Sequence, residues 1–142
     1  MKSHALRTLP LLTLLLMLTT ISTSAQSQRS GVLNIPFSFT VGEKTLPAGE
    51  YTVEPNRKDY DKVWLVQSKD NHTSVLVITM SVRAKETQEQ TKLVFHRLGE
   101  QYFLSQIWTP GGSTGRELTI PGAERELAKN AKNRRTIVVL AR

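Results

Sequence analysis

The chain has 142 residues, 39% of them hydrophobic, with 19 Lys and Arg against 12 Asp and Glu and no cysteine. The absence of cysteine excludes a disulfide framework, a thiolate metal site, a cysteine nucleophile and a lipidated cysteine. The length fits a single domain, the hydrophobic share fits a packed core, and the net charge of +7 raises nucleic acid or an acidic surface as a partner.

Residues 1–25 read as a secretory signal peptide. Lys2 and Arg7 stand at the start, a leucine-rich run extends from Leu9 to Ile21, and Ser22-Thr23-Ser24-Ala25 supplies the small residues of a cleavage site, with cleavage expected after Ala25. The apolar run is shorter than the roughly 20 residues a spanning helix needs. The expectation is a soluble exported domain over residues 26–142, periplasmic or secreted. Removing Lys2 and Arg7 lowers its net charge to +5.

From Leu33 the alternation is strict, with Leu33, Ile35, Phe37, Phe39 and Val41 on one side and polar residues or Pro36 on the other. That pattern predicts one half-buried strand over 33–41, at a sheet edge because Pro36 donates no hydrogen bond. Val41–Lys44 and Leu46–Gly49 read as turns, the second leading into a short strand through Tyr51 and Val53. Residues 55–62 read as a charged loop. Strands follow over Val63–Gln67 and Thr73–Met80, joined by Lys69-Asp70-Asn71-His72. Val75-Leu76-Val77-Ile78 is apolar on both faces, which predicts cover on both sides. Arg83–Lys92 reads as a solvated loop.

Leu93–Leu98 and Gln101–Trp108 form a hairpin about Gly99-Glu100, where glycine in the first turn position suits a type II′ turn. Thr109–Gly115 reads as a flexible loop. Pro121–Lys132 is the helical candidate, a surface lid with the stripe Ala123, Leu127 and Ala131, and Thr136–Ala141 closes the chain as a strand. The fold class expected is mainly β: an antiparallel β-sandwich or partly closed barrel of about seven strands with one late surface helix.

The chemistry of catalysis is thin. No Gly-x-Ser-x-Gly elbow is present, and only His72 and His96 follow the leader, too few and too far apart for a zinc site. His96 alternates with Phe95 and reads as a surface or half-buried histidine. Glu124 and Glu126 point in different directions on a helix. Gly111–Arg116 lacks the Gly-Lys-Ser/Thr ending of a phosphate loop. Tyr102, Leu104, Gln106 and Trp108 would share one strand face, better suited to core packing than to a sugar platform. No catalytic residue, metal ligand or cofactor is expected. Basic residues crowd the C-terminal end, and Lys129, Lys132, Arg134 and Arg135 are the candidate anion-binding set.

Three segments carry a resemblance: Leu33-Asn34-Ile35-Pro36-Phe37-Ser38-Phe39 with Leu46-Pro47-Ala48-Gly49-Glu50-Tyr51-Thr52-Val53, Lys92–Arg97 with Tyr102–Trp108, and Gly115–Leu118 with Glu124–Leu127. Together they resemble a family of small exported bacterial proteins of unknown function. The resemblance implies an exported, mainly β domain and no particular activity. The function expected from the sequence is non-enzymatic binding or structural association at the cell envelope. The partner would be acidic polysaccharide, anionic lipid head groups or an envelope protein, and export argues against nucleic acid. The alternatives are a lipocalin-like small-ligand carrier and an enzyme whose site forms only in space.

Overall fold

The computed structural model describes residues 31–56, 62–131 and 133–142. The signal-peptide reading, most of the 55–62 loop and Lys132 lie outside these residues. The described chain is mainly β, two-layered and not closed into a barrel.

Leu33–Ile35 (β1) pairs antiparallel with Gly49–Pro55 (β4), which pairs with Val63–Ser68 (β5), which pairs with Ser74–Arg83 (β6). β6 belongs to both layers. Its first half runs beside β5, and its second half, Thr79–Arg83, pairs with Thr114–Leu118 (β9). β9 continues to Gln101–Trp108 (β8), then to Lys92–Leu98 (β7) and Arg134–Leu140 (β10). Phe39–Val41 (β2) and Lys44–Leu46 (β3) form a hairpin attached to β8. Among the described residues one helix, α1, covers Gly122–Asn130.

The described chain therefore contains ten strands, and the sheet is mixed because β2 meets β8 in parallel at Thr40 and Phe103. β3 and β9 account for part of the excess over seven. Both are short, and β9 lies where glycine and serine suggest a loop.

The strand expected over 33–41 breaks at Pro36-Phe37-Ser38. Pro36 supplies no ladder hydrogen, and the chain uses the interruption to cross from one layer to the other. The burial alternation survives the crossing, with Leu33, Ile35, Phe39 and Val41 all in the core. Between the layers these side chains meet Tyr51, Val53, Trp64 and Val66 from the first sheet and Leu93, Phe95, Leu104 and Ile107 from the second. Phe39 stands edge-on to Tyr51 at 5.1 Å and to Phe95 at 5.5 Å, the arrangement aromatic quadrupoles favour. Each such side chain contributes about 1.5–3 kcal/mol by leaving water.

Local turn chemistry matches its residues. Tyr51 Oη donates to Pro47 O at 2.7 Å, tying the Leu46–Gly49 turn back onto β4. Gly99 has φ +61°, and Glu100 stays at negative φ, as a type II′ connection requires. Asn71 takes the left-handed conformation in the β5–β6 turn at φ 60°, which asparagine tolerates.

Two expectations are corrected within β8 and β9. A bulge in the β7–β8 ladder at Val94/Phe95 leaves Ser105 without a register partner and inverts the alternation beyond it. Leu104 and Ile107 consequently face the core, while Gln106 and Trp108 face outward opposite Val94 and Lys92. Gly115 belongs to β9. A Cβ there would lie 2.5 Å from Trp108 Cε3, so glycine is required by the indole laid across it.

Candidate functional site

One face of β6 is turned to solvent. On β6, Val77 and Thr79 are buried, whereas Leu76, Ile78 and Met80 are 58%, 72% and 60% exposed. This overturns the expected double cover of Val75–Ile78. Only one face of β6 meets the core, and no described helix or sheet covers the other. Opposite them on β5, Leu65 partners Leu76 and Val63 partners Ile78, both half-buried, so the apolar row widens into a face. Ile120, also exposed, leads from β9 toward α1 beside it. Scattered exposed leucines are ordinary, but a contiguous apolar face on a strand is not.

Among the described residues, no strand pairs with the edge of β6 beside that face. Thr79 N–H donates to Lys62 O at 2.7 Å, and Ser68 N–H donates to Thr73 O at 2.8 Å. The alternation of an antiparallel ladder then directs the backbone groups of Val75 and Val77 toward β5 and those of Leu76 and Ile78 away from it. On that far side β9 reaches only to Leu118, opposite Thr79. Beyond it, a groove of about 520 Å³ separates the β6 edge from the β2–β3 hairpin and the start of α1. Lys44 Nζ donates to Ser74 O at 3.4 Å across one end of this groove.

The wall formed by residues 119–122 and α1 is held by three side chains from three elements. Glu124 of α1 is 2% exposed. Its Oε1 lies 2.8 Å from His96 Nδ1 on β7 and accepts from Arg134 Nη2 on β10 at 2.9 Å. Arg134 Nη2 also packs against the His96 ring, touching Nδ1 and lying 3.3 Å from Nε2. A buried carboxylate requires such donors, because an unpaired one would carry a large desolvation cost. The helix thus docks through a charged residue. Of the apolar stripe expected to face the sheet, Ala123 is exposed and Leu127 only half-buried.

His96, Arg134, Ser105 and Glu117 line a second open groove of about 560 Å³ on the other side of Ile120, with Arg125 at the junction of the two. Serine, histidine and glutamate line this groove, and His96 Nδ1 is paired with Glu124 while Arg134 packs against the ring. These contacts join α1 to β7 and β10. Among the described residues, no three His, Asp or Glu side chains gather as a metal site.

Among the described residues, the candidate C-terminal cations are engaged as follows, with Lys132 outside them. Lys129 pairs with Glu126 at 2.7 Å, and Arg134 is committed to Glu124. Arg135 lies on the opposite face of β10 from Arg134, in register with Arg97 beside a shallow pocket of about 230 Å³. Arg97 is itself bonded to Gly99 O and Glu100. Trp108 is buried against Gly115, with Lys92 Nζ 5.4 Å from its ring, so it offers no exposed sugar platform.

Sequence reasoning found His96, Glu124 and Arg134 singly and missed their union, which depends on the β7–β10 pairing and the docking of α1. The alternation signal for an exposed β6 face was masked, since leucine and isoleucine occupy positions where a solvated strand carries polar residues. Among the described residues, no helix is long and apolar enough to cross a membrane. Comparison with protein-family models, with curated proteins and with solved structures returned no match.

Proposed function

We propose that the chain is an exported, non-enzymatic binding domain that associates with a protein of the cell envelope through the outer face of β6. The observation that carries this reading is the exposed row Leu76, Ile78 and Met80, continued by Ile120. Surfaces of this kind gain free energy when another apolar surface covers them. A protein surface fits better than an anionic polymer, because no charge interrupts the row and because Lys129 and Arg134 already have carboxylate partners.

The other readings have less support. A carrier needs an internal cavity, and the space between the layers is occupied by the core side chains from Leu33 to Leu118. An enzyme built on His96 needs a nucleophile held against its second nitrogen, and among the described residues no hydrogen bond joins Ser105 to His96. Export rests on the order of charged, apolar and small residues in positions 1–25.

The test uses residues 26–142 immobilised and exposed to envelope extract of the source cells at low and high salt. Retention of a defined protein that survives high salt and is lost with Ile78→Glu supports the reading. Ile78 is exposed, so this substitution should leave stability within about 0.5 kcal/mol. Retention that Ile78→Glu leaves intact, or that Arg135→Glu and salt abolish, would place binding on the basic end instead.

A further inference from the structure

The geometry points to strand addition: the edge of β6 from Ser74 to Ile78 receives an extended peptide segment of the partner, aliphatic along its length and carrying a carboxylate near one end. This deepens the binding reading above and rests on it.

The edge itself specifies a peptide. With Val75 and Val77 committed to β5, the backbone groups of Leu76 face the groove, and Ile78 N–H faces it beside the end of β9. An alternating row of donors and acceptors is complemented by another strand, and unpaired edges are the usual sites of such pairing. A sugar or an acyl chain offers no matching backbone row.

The groove also limits the size and chemistry of the occupant. Thr119 to Gly122 close it at the Ile78 end, and the β2–β3 hairpin overhangs it at Gly42 to Lys44. Val75 and Val77 line the inner side and Leu76 and Ile78 the outer side, so aliphatic residues are favoured on both faces of the incoming strand. Arg125 lines the Ile120 end and has no ion pair among the described residues. Its guanidinium supplies the complement for a carboxylate. Most exposed strand edges are protected by charge or proline; Ser74–Ile78 itself carries neither, and Lys44 engages only Ser74 O at its far end.

A library of acetylated, amidated hexapeptides built from Val, Ile, Leu, Thr, Phe, Glu, Lys and Gly is the probe. The expected selection is for aliphatic sequences with a terminal glutamate, and Arg125→Gln should remove the glutamate preference. Leu76→Pro removes an N–H that points into the groove and leaves the bonds to β5 in place, so it should weaken the selected peptides about tenfold relative to Leu76→Thr. Unchanged urea unfolding of Leu76→Pro relative to Leu76→Thr confirms that the fold is retained. If Leu76→Pro unfolds, N-methylation of alternate peptide amides replaces it, and a loss of binding at one parity only supports the proposal. No selected peptide, or peptides that bind Leu76→Pro and all N-methylated forms equally, overturns strand addition. In that case continued loss of envelope-protein retention with Ile78→Glu would preserve the binding reading, and unaffected retention would end both.

Discussion

His96 Nδ1 on β7 stands 2.8 Å from the buried Oε1 of Glu124 on α1, a carboxylate that Arg134 of β10 also engages. One carboxylate therefore joins the helix to two neighbouring strands. In doing so it fixes the Thr119–Gly122 segment that closes one end of the β6 groove.

Removing that carboxylate leaves two cationic or polar partners facing an uncharged pocket. Glu124→Ala should cost about 2 kcal/mol, below the full penalty for breaking a buried pair because Arg134 is 43% exposed and can be rehydrated. Urea unfolding measures it, with Glu126→Ala as the exposed control expected within about 0.5 kcal/mol. A Glu124→Ala cost no larger than the control's would show that α1 docks by other contacts.

Gly115 and Trp108 form a second dependency. A Cβ at position 115 would fall 2.5–2.8 Å from three indole carbons. Gly115→Ala should destabilise the fold by about 1–3 kcal/mol through overpacking and shift the Trp108 fluorescence. Pairing it with Trp108→Leu should reduce the added cost, because the two residues share one space. Additive costs would contradict the close approach.

Two pH effects converge on the β4–β5 end of the molecule. Burial, with a smaller contribution from the Asp70 carboxylate, raises the Tyr51 hydroxyl above the ordinary tyrosine range. The folded state then holds its proton more tightly than the unfolded chain, so stability declines as pH rises past about 10. Tyr51→Phe should flatten that decline and cost about 1 kcal/mol at neutral pH by losing the hydrogen bond to Pro47 O. A decline of equal steepness in the variant would assign it elsewhere.

Asp70 moves the other way. The Ser68 hydroxyl first, and then the His72 backbone N–H, hold its carboxyl below the ordinary aspartate value. A lowered folded value contributes stability above the unfolded pKa and loses it as pH falls through the folded one. Carbon-detected NMR titration should place the Asp70 midpoint below that of an unstructured aspartate, and Ser68→Ala should raise it. A midpoint unmoved by Ser68→Ala would remove the hydroxyl as the cause.

Much of the architecture was legible in the chain. The alternation over 33–41 identified its buried residues correctly, and Gly99-Glu100 marked its hairpin. What alternation could not convey was pairing: Pro36 permits a layer crossing as readily as an edge, and Ser105 adds one residue that inverts every face after it. Gly115 looked like loop composition because the indole that demands it is seven residues away. The site was less legible still. Leu76 and Ile78 have the composition of a core strand, and only the end of β9 at Leu118 decides that their edge is bare. The contact of His96, Glu124 and Arg134 likewise joins residues 28 and 38 positions from His96.

The central claim, that the β6 edge is open for recognition, is tested most directly by amide hydrogen exchange along Ser74–Arg83. The Leu76 and Ile78 amides should exchange rapidly in the isolated protein. Those of Val75, Val77 and Thr79, bonded to β5, and of Met80, beside β9, should be protected. Protection of Leu76 and Ile78 equal to that of Val77 in the isolated protein would mean that the edge is already paired, and would contradict the account.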